Sequence, residues 1–182
     1  PSRYVILTGR YNWRTRLKRG VIPGYAPALI EDGRVTIGSM LQSAGYKTAA
    51  IGKWHLGMDW ETEPGFDLPK TIPDIDPDRM GVKFDKPIKN GPNAKGFDYF
   101  FGTGGSLDQS PYVFIENDRA TGIPKNWVGN KGFEPLYPGP ILEKDWGPAT
   151  DDWDFQKAVP IVHNKVLEKV EEFAKGDQPF FI

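Results

Sequence analysis

Two short segments carry polar residues too specific in type and spacing for packing alone. Lys53 and His55 lie two apart, just past a hydrophobic run that reads as a strand. In extended chain, residues i and i+2 point the same way, so both side chains are set to face one pocket. A fixed ammonium beside an imidazole suits a tetrahedral oxyanion: lysine supplies charge, histidine transfers a proton. The other segment is Pro1-Ser2-Arg3-Tyr4-Val5-Ile6-Leu7-Thr8-Gly9-Arg10. A turn into a helix with Arg3 in its first turn gathers backbone amides and a guanidinium at one spot, which favours an anion. Plainer readings stand beside these: Arg3 in a salt bridge, Lys53 on the surface, His55 at the edge of the core.

The elements that must position these groups can be read from pattern. Ser2 to Leu7 enters a short helix that Thr8-Gly9 closes. Thr36 is an N-cap before Ile37, Met40, Leu41 and Ala44, whose spacing marks one apolar helix face, and Gly45 stands at the C′ position. Tyr46 to Ile51 follows as a strand, and Gly52 releases the chain into a loop. Helix, glycine stop and strand in succession predict an α/β fold, a mostly parallel sheet flanked by helices with long Pro/Gly-rich loops. Ligands of open α/β sheets gather beyond the carboxyl ends of strands, which is where Lys53 and His55 fall. A P-loop is excluded, because Gly52-Lys53 is followed by Trp54 rather than Ser or Thr.

Further on, prolines punctuate an acidic stretch from about 58 to 95. It reads as a surface excursion or a substrate-shaping insertion. Phe97 to Phe101 and Tyr112 to Glu116 are aromatic-rich strand candidates. A second Pro/Gly/Trp-rich loop covers about 122 to 153. A helix from about Asp154 to Lys175 has apolar positions Phe155, Val159, Val162, Val166, Val170 and Phe173 stepping by three and four. Pro160 sits early enough in it to be tolerated, Gly176 stops it, and Pro179 to Ile182 begins a strand.

Bulk properties narrow the class. The 182 residues carry 23 Lys and Arg against 24 Asp and Glu, a formal charge of −1, so no global field draws the chain to nucleic acid. No run of 18 apolar residues spans a membrane. Cysteine is absent, which removes disulfides and thiolate metal sites from this segment. The first 30 residues hold Arg3, Arg10, Arg14, Arg16, Lys18 and Arg19 and no acid before Glu31. Arg14 to Arg19 is either a solvated basic surface or an anion-attracting rim around a site. The start at Pro1 without Met, and the strand halted at Ile182, read as one domain cut at both ends.

Pro1-Ser2-Arg3 followed by Leu7-Thr8-Gly9-Arg10 resembles the first signature of the sulfatase family, in which Cys or Ser stands two positions before the Pro-Ser-Arg. Gly45 through Gly57, with its Gly52-Lys53-Trp54-His55-Leu56-Gly57 core, resembles the second. The likeness extends more weakly through Gly96 to Gly102, Ser106 to Tyr112 and the terminal helix and strand.

The resemblance implies a formylglycine-dependent, calcium-using sulfate-ester hydrolase of the alkaline-phosphatase-like superfamily. The formylglycine hydrate is the nucleophile in such enzymes, made from a Cys or Ser that would precede Pro1. By the same likeness Arg3 holds the hydrate, Lys53 binds sulfate and nucleophile, and His55 hydrogen-bonds the hydrate and helps eliminate sulfate. Ser106 is a looser match to a serine beside the sulfate. The calcium ligands would lie outside this chain. Asp151 and Asp152 read as helix-capping residues rather than a metal pair, and His163 as a helix-surface or packing residue. Implied partners are a sulfated small molecule or carbohydrate and the enzyme that matures the formylglycine, with export or a lysosomal-type compartment as the family habit. Two other readings share the scaffold: a phosphonate or phosphate ester hydrolase, and an inactive sulfatase-fold binding protein.

Overall fold

A computed structural model of the chain describes residues 2–68, 81–129 and 147–182. Pro1 and the middles of both long loops lie outside them. The fold is α/β, with a five-stranded sheet in the order β4-β3-β2-β1-β7. Its strands are β1 (Lys47–Lys53), β2 (Tyr99–Thr103), β3 (Ile115–Glu116), β4 (Arg119–Ala120) and β7 (Phe180–Phe181). β1 pairs in parallel with both β2 and β7, while β3 and β4 continue the sheet as an antiparallel hairpin. A separate two-stranded ribbon joins β5 (Asn126–Val128) to β6 (Gly147–Ala149).

Three helices flank the sheet: α1 (Ser2–Thr8), α2 (Ile37–Ser43) and α3 (Phe155–Phe173). α2 starts where the sequence predicts. Thr36 accepts from the Ser39 amide and Ser39 answers to the Thr36 amide, a complete capping box. Gly45 then turns the chain at φ 85° into β1. An aspartate couples these elements: Asp98, just before β2, accepts from the Thr48 amide at 2.9 Å and from Gln42 Nε2 at 2.6 Å. Burial works to raise its pKa, but the Thr48 amide, Gln42, the Thr48 hydroxyl and the Lys47 charge outweigh it and hold the carboxyl below its usual range.

One face of β1 and β2 covers the core. Tyr4, Tyr25, Trp54, Met58, Phe97, Phe100 and Ile115 are all buried there. Trp60, Phe84 and Ile88 belong to the same cluster. The two flanks of the proline-rich stretch 58–95 are therefore packed into the domain rather than laid over its surface. Its middle, residues 69–80, lies outside the described residues.

The opposite face carries α3, which turns much of its predicted apolar face inward. Phe173 is buried and Phe155, Val162 and Val166 are half-buried, while Val159 is 63% exposed and Ala158 is buried in its place. The side against the sheet includes lysine stems: Lys169 Nζ stands 4.1 Å from the centre of the Tyr99 ring and Lys165 Nζ 5.3 Å from that of Phe101. Lysine methylenes cover apolar surface while the ammonium rests on a ring, which hydrophobic periodicity does not register. The helix cap is Asp154, two residues beyond Asp152: its side chain accepts from the Gln156 amide at 2.8 Å, while Asp151 accepts from Asn126 of the ribbon. Asp151 and Asp152 lie too far upstream of Phe155 to reach the orphan amides. His163 is on the exposed face of α3.

Candidate functional site

β1 runs two residues beyond its predicted end because Gly52 and Lys53 continue the parallel register opposite Gly102 and Thr103. A side chain at 102 would bring its Cβ within 1.8 Å of the Gly52 carbonyl oxygen, so the close approach of the two strands requires glycine there. The next residues remain tied to the strand top: the Trp54 amide donates to Thr103 O and the His55 amide to Gly104 O, each at 3.0 Å.

His55 itself is not in extended chain. Its φ is 53°, in the left-handed region that a residue with a Cβ enters at a cost of about 1–2 kcal/mol. Trp54 turns inward between its neighbours, buried with its indole nitrogen donating to Gly57 O at 2.9 Å and edge-on to Phe97. Lys53 and His55 thus reach one side of the strand end through a turn anchored by a buried tryptophan, not through simple strand alternation. Gly57 completes that turn at φ 72°, where a Cβ would lie 2.2 Å from Pro27 O.

Arg3, Lys53 and His55 line one cavity of about 240 Å³, together with Ser2 and Tyr4 of α1 and with Asn12, Leu17, Val21 and Ile22. Arg3 arrives on the first turn of α1, and α1 is pinned by Tyr4. The Tyr4 hydroxyl donates to Glu31 at 2.8 Å, and Arg10 at the far end of α1 pairs with the same carboxylate at 2.9 Å. Arg10 therefore holds the helix, while Arg3 faces the cavity.

The imidazole is oriented by backbone. His55 Nε2 lies 2.9 Å from the Ile22 carbonyl oxygen. A carbonyl only accepts, so Nε2 carries the hydrogen and Nδ1 is the nitrogen left to exchange a proton. Burial lowers the His55 pKa. The charges of Lys53 and Arg3 lower it further, against the Ile22 carbonyl and the Asp108 carboxylate, which raise it. The ring is thereby biased toward the neutral form, ready to accept a proton rather than already holding it. Ser106 is not part of the cavity wall; its Oγ accepts from Lys53 Nζ at 3.4 Å.

The loop from Asn12 to Ile22 is the wall that sequence reasoning left open. Arg14, Arg16, Lys18 and Arg19 are exposed on it, while Thr15 is buried. The Thr15 hydroxyl donates to Asn12 O at 2.7 Å and accepts from the Leu17 amide at 3.1 Å, which fixes the loop. The loop lines the cavity through Asn12, Leu17, Val21 and Ile22, and its four basic residues are solvent-exposed. Asn12, Leu17 and Ile22 were not singled out from sequence. The carbonyl of Ile22 has no signal in the identity of its residue, and only the fold delivers it to His55.

Comparison with known proteins agrees with this architecture. The sulfatase family model matches residues 1–182, and the chain belongs to the sulfatase family. An N-acetylgalactosamine-6-O-sulfatase of Bacteroides thetaiotaomicron is 36% identical over 126 residues, 69% of this chain and 21% of that protein. Arylsulfatase G of Rattus norvegicus is 41% identical over 69 residues, 36% of this chain and 12% of its own. A solved structure from work on the metabolism of multiple glycosaminoglycans by Bacteroides thetaiotaomicron aligns with 100% of this chain and 39% of its own. It does so at 25% identity and a TM-score of 0.71. The chain thus spans about a fifth of the length of the first of these relatives.

Proposed function

We propose that this chain forms part of the catalytic domain of a sulfatase that hydrolyses sulfate esters on carbohydrate. The observation that carries the proposal is the meeting of Arg3, Lys53 and His55 in the lining of one cavity at the carboxyl end of β1. Membership of the family supplies the reaction class, and the relative named for N-acetylgalactosamine-6-O-sulfate supports a sulfated sugar as substrate.

Calcium and formylglycine are the groups the family resemblance brings. Among the described residues no group of three or more His, Cys, Asp or Glu side chains is placed to hold a metal ion. The described residues of the site contribute to the anion and the proton. The formylglycine fits better: Ser2 and Arg3 open α1 at the cavity, and the guanidinium and ammonium around it suit both an aldehyde hydrate and a sulfate. When present, the hydrated aldehyde supplies the attacking hydroxyl.

The residues at hand then divide the work. Arg3 holds the hydrate oxygen by charge-assisted hydrogen bonds. Lys53 neutralises sulfate oxygens, with Ser106 Oγ steering its ammonium. His55, fixed through Nε2 by Ile22 O, exchanges a proton at Nδ1 as sulfate is expelled. Maturation by a formylglycine-generating enzyme and export, or delivery to a lysosomal-type compartment, belong to the same reading. Among the described residues no helix is long and apolar enough to cross a membrane.

Turnover of an aryl sulfate against an aryl phosphate by the whole enzyme tests the proposal. Preference for the sulfate supports it. Preference for the phosphate moves the protein to the ester-hydrolase reading, and absence of both activities leaves the binding-protein reading.

A further inference from the structure

The basic loop that walls the cavity carries a feature that the hydrolytic chemistry does not use. Tyr11 and Trp13 stack on each other, ring centroids 4.2 Å apart and planes within 11°. They are 56% and 54% exposed, although neither is charged and the pair sits on the surface. Asn12, between them in sequence, lines the cavity that holds Arg3, Lys53 and His55. The buried Thr15 hydroxyl bonded to Asn12 O, and Lys18 Nζ donating to Trp13 O at 2.9 Å, fix the backbone of this turn. The stack is thus built on a braced short 3-10 turn, Asn12–Arg14.

Ring faces are electron-rich and apolar, and leaving two of them in water is unfavourable. The C–H face of a pyranose is a fitting cover for such a surface. Lys18 Nζ is held at Trp13 O, and Arg14, Arg16 and Arg19 are exposed on the same loop, which has no acidic residue before Glu31. Cations beside a ring platform select a sugar that carries anionic groups.

We propose that the Tyr11–Trp13 stack is a subsite for a second sugar ring of an anionic oligosaccharide, next to the sulfated ring in the cavity. The basic loop takes the additional sulfate or carboxylate groups of that chain. This rests on the sulfatase reading and extends it: the substrate is an acidic oligosaccharide rather than a single sulfated sugar or an aryl sulfate.

The test is kinetic, on the whole enzyme, with p-nitrophenyl sulfate, N-acetylgalactosamine 6-sulfate and a tetrasaccharide containing that sulfated residue. Trp13→Ala is expected to lower kcat/KM for the tetrasaccharide about fivefold to tenfold, mainly through KM, and to leave both small substrates within about twofold. Trp13→Phe restores most of the loss. Arg14→Ser with Arg19→Ser raises KM for the tetrasaccharide selectively, and added salt narrows that difference. Equal loss on all three substrates, or no loss on the tetrasaccharide, overturns the subsite. Should no sulfate ester be turned over, the hydrolase reading fails separately. Calorimetric binding of the same tetrasaccharide then decides the platform: binding weakened by Trp13→Ala sustains it, and equal affinity or no binding overturns it.

Discussion

His55 Nε2 donates to the carbonyl oxygen of Ile22 across 2.9 Å, joining the end of β1 to the basic loop that walls the cavity. The bond fixes which nitrogen carries the hydrogen, and it requires the loop to be folded against the strand before the ring can work. Burial, with Lys53 and Arg3 nearby, holds the pKa of this ring below its usual 6.5.

Because the unfolded chain takes up a proton at His55 near pH 6.5 and the folded chain resists it, stability contributed here is present above that value. It is lost as pH falls from about 6.5 toward the lower folded pKa. Denaturation profiles between pH 7.5 and 5, a range set about that transition, should show this loss, and His55→Gln should flatten it. An NMR titration placing the imidazole above 6.5 would contradict the assignment.

Lys53 is exposed at the strand end and spends its ammonium on Ser106 and the cavity. Lys53→Ala should therefore reduce sulfate-ester turnover by about 10²–10³-fold while changing stability by no more than about 0.5 kcal/mol. A variant with near-normal turnover would remove Lys53 from the chemistry.

Gly57 and Gly45 offer a matched pair. Both have positive φ, 72° and 85°, but a Cβ at 57 would strike Pro27 O whereas one at 45 meets open space. Gly45→Ala should cost about 1–2 kcal/mol from the left-handed backbone alone. Gly57→Ala should cost well beyond that, and should also weaken activity by moving His55. Equal costs by chemical denaturation would show that the Pro27 contact is not limiting.

Asp98 ties α2, β1 and β2 through the Thr48 amide, the Thr48 hydroxyl and Gln42. Its carboxyl is held below the usual range by these donors, so its contribution is present above about pH 4 and lost on acidification. Asp98→Asn should destabilise the protein by about 1–2 kcal/mol at neutral pH, because one of the two acceptor oxygens becomes an NH2 donor that must face either the Thr48 amide or Gln42 Nε2. A loss that fails to shrink as the pH falls below about 4, where the parent carboxyl takes up its proton while the amide of the variant does not titrate, would point to a packing effect instead.

What the chain alone determined is local and chemical. Thr36 and Gly45 bound α2 because a hydroxyl cap and a positive φ are properties of single residues. The family likeness was legible because Pro1-Ser2-Arg3 and Gly52 to Gly57 are contiguous. Element ends were less legible: β2 begins at Tyr99 rather than Phe97, and Tyr112 bridges Ala149 instead of joining β3. Those ends depend on which partner strand supplies hydrogen bonds. The apolar spacing of α3 finds Phe155, Val162, Val166 and Phe173 on the packed side but not Lys165 and Lys169, which join it only once Phe101 and Tyr99 lie beneath them.

Tertiary structure decided how the site is assembled. Spacing set Lys53 and His55 on one side by strand alternation, whereas the chain achieves it with a left-handed His55 over a buried Trp54. It also brought the Ile22 carbonyl to the imidazole and set the Tyr11–Trp13 stack beside the cavity. A backbone carbonyl is chemically the same at every residue. Only the path of the chain through space tells which one meets a histidine, and that path is fixed by packing far from either.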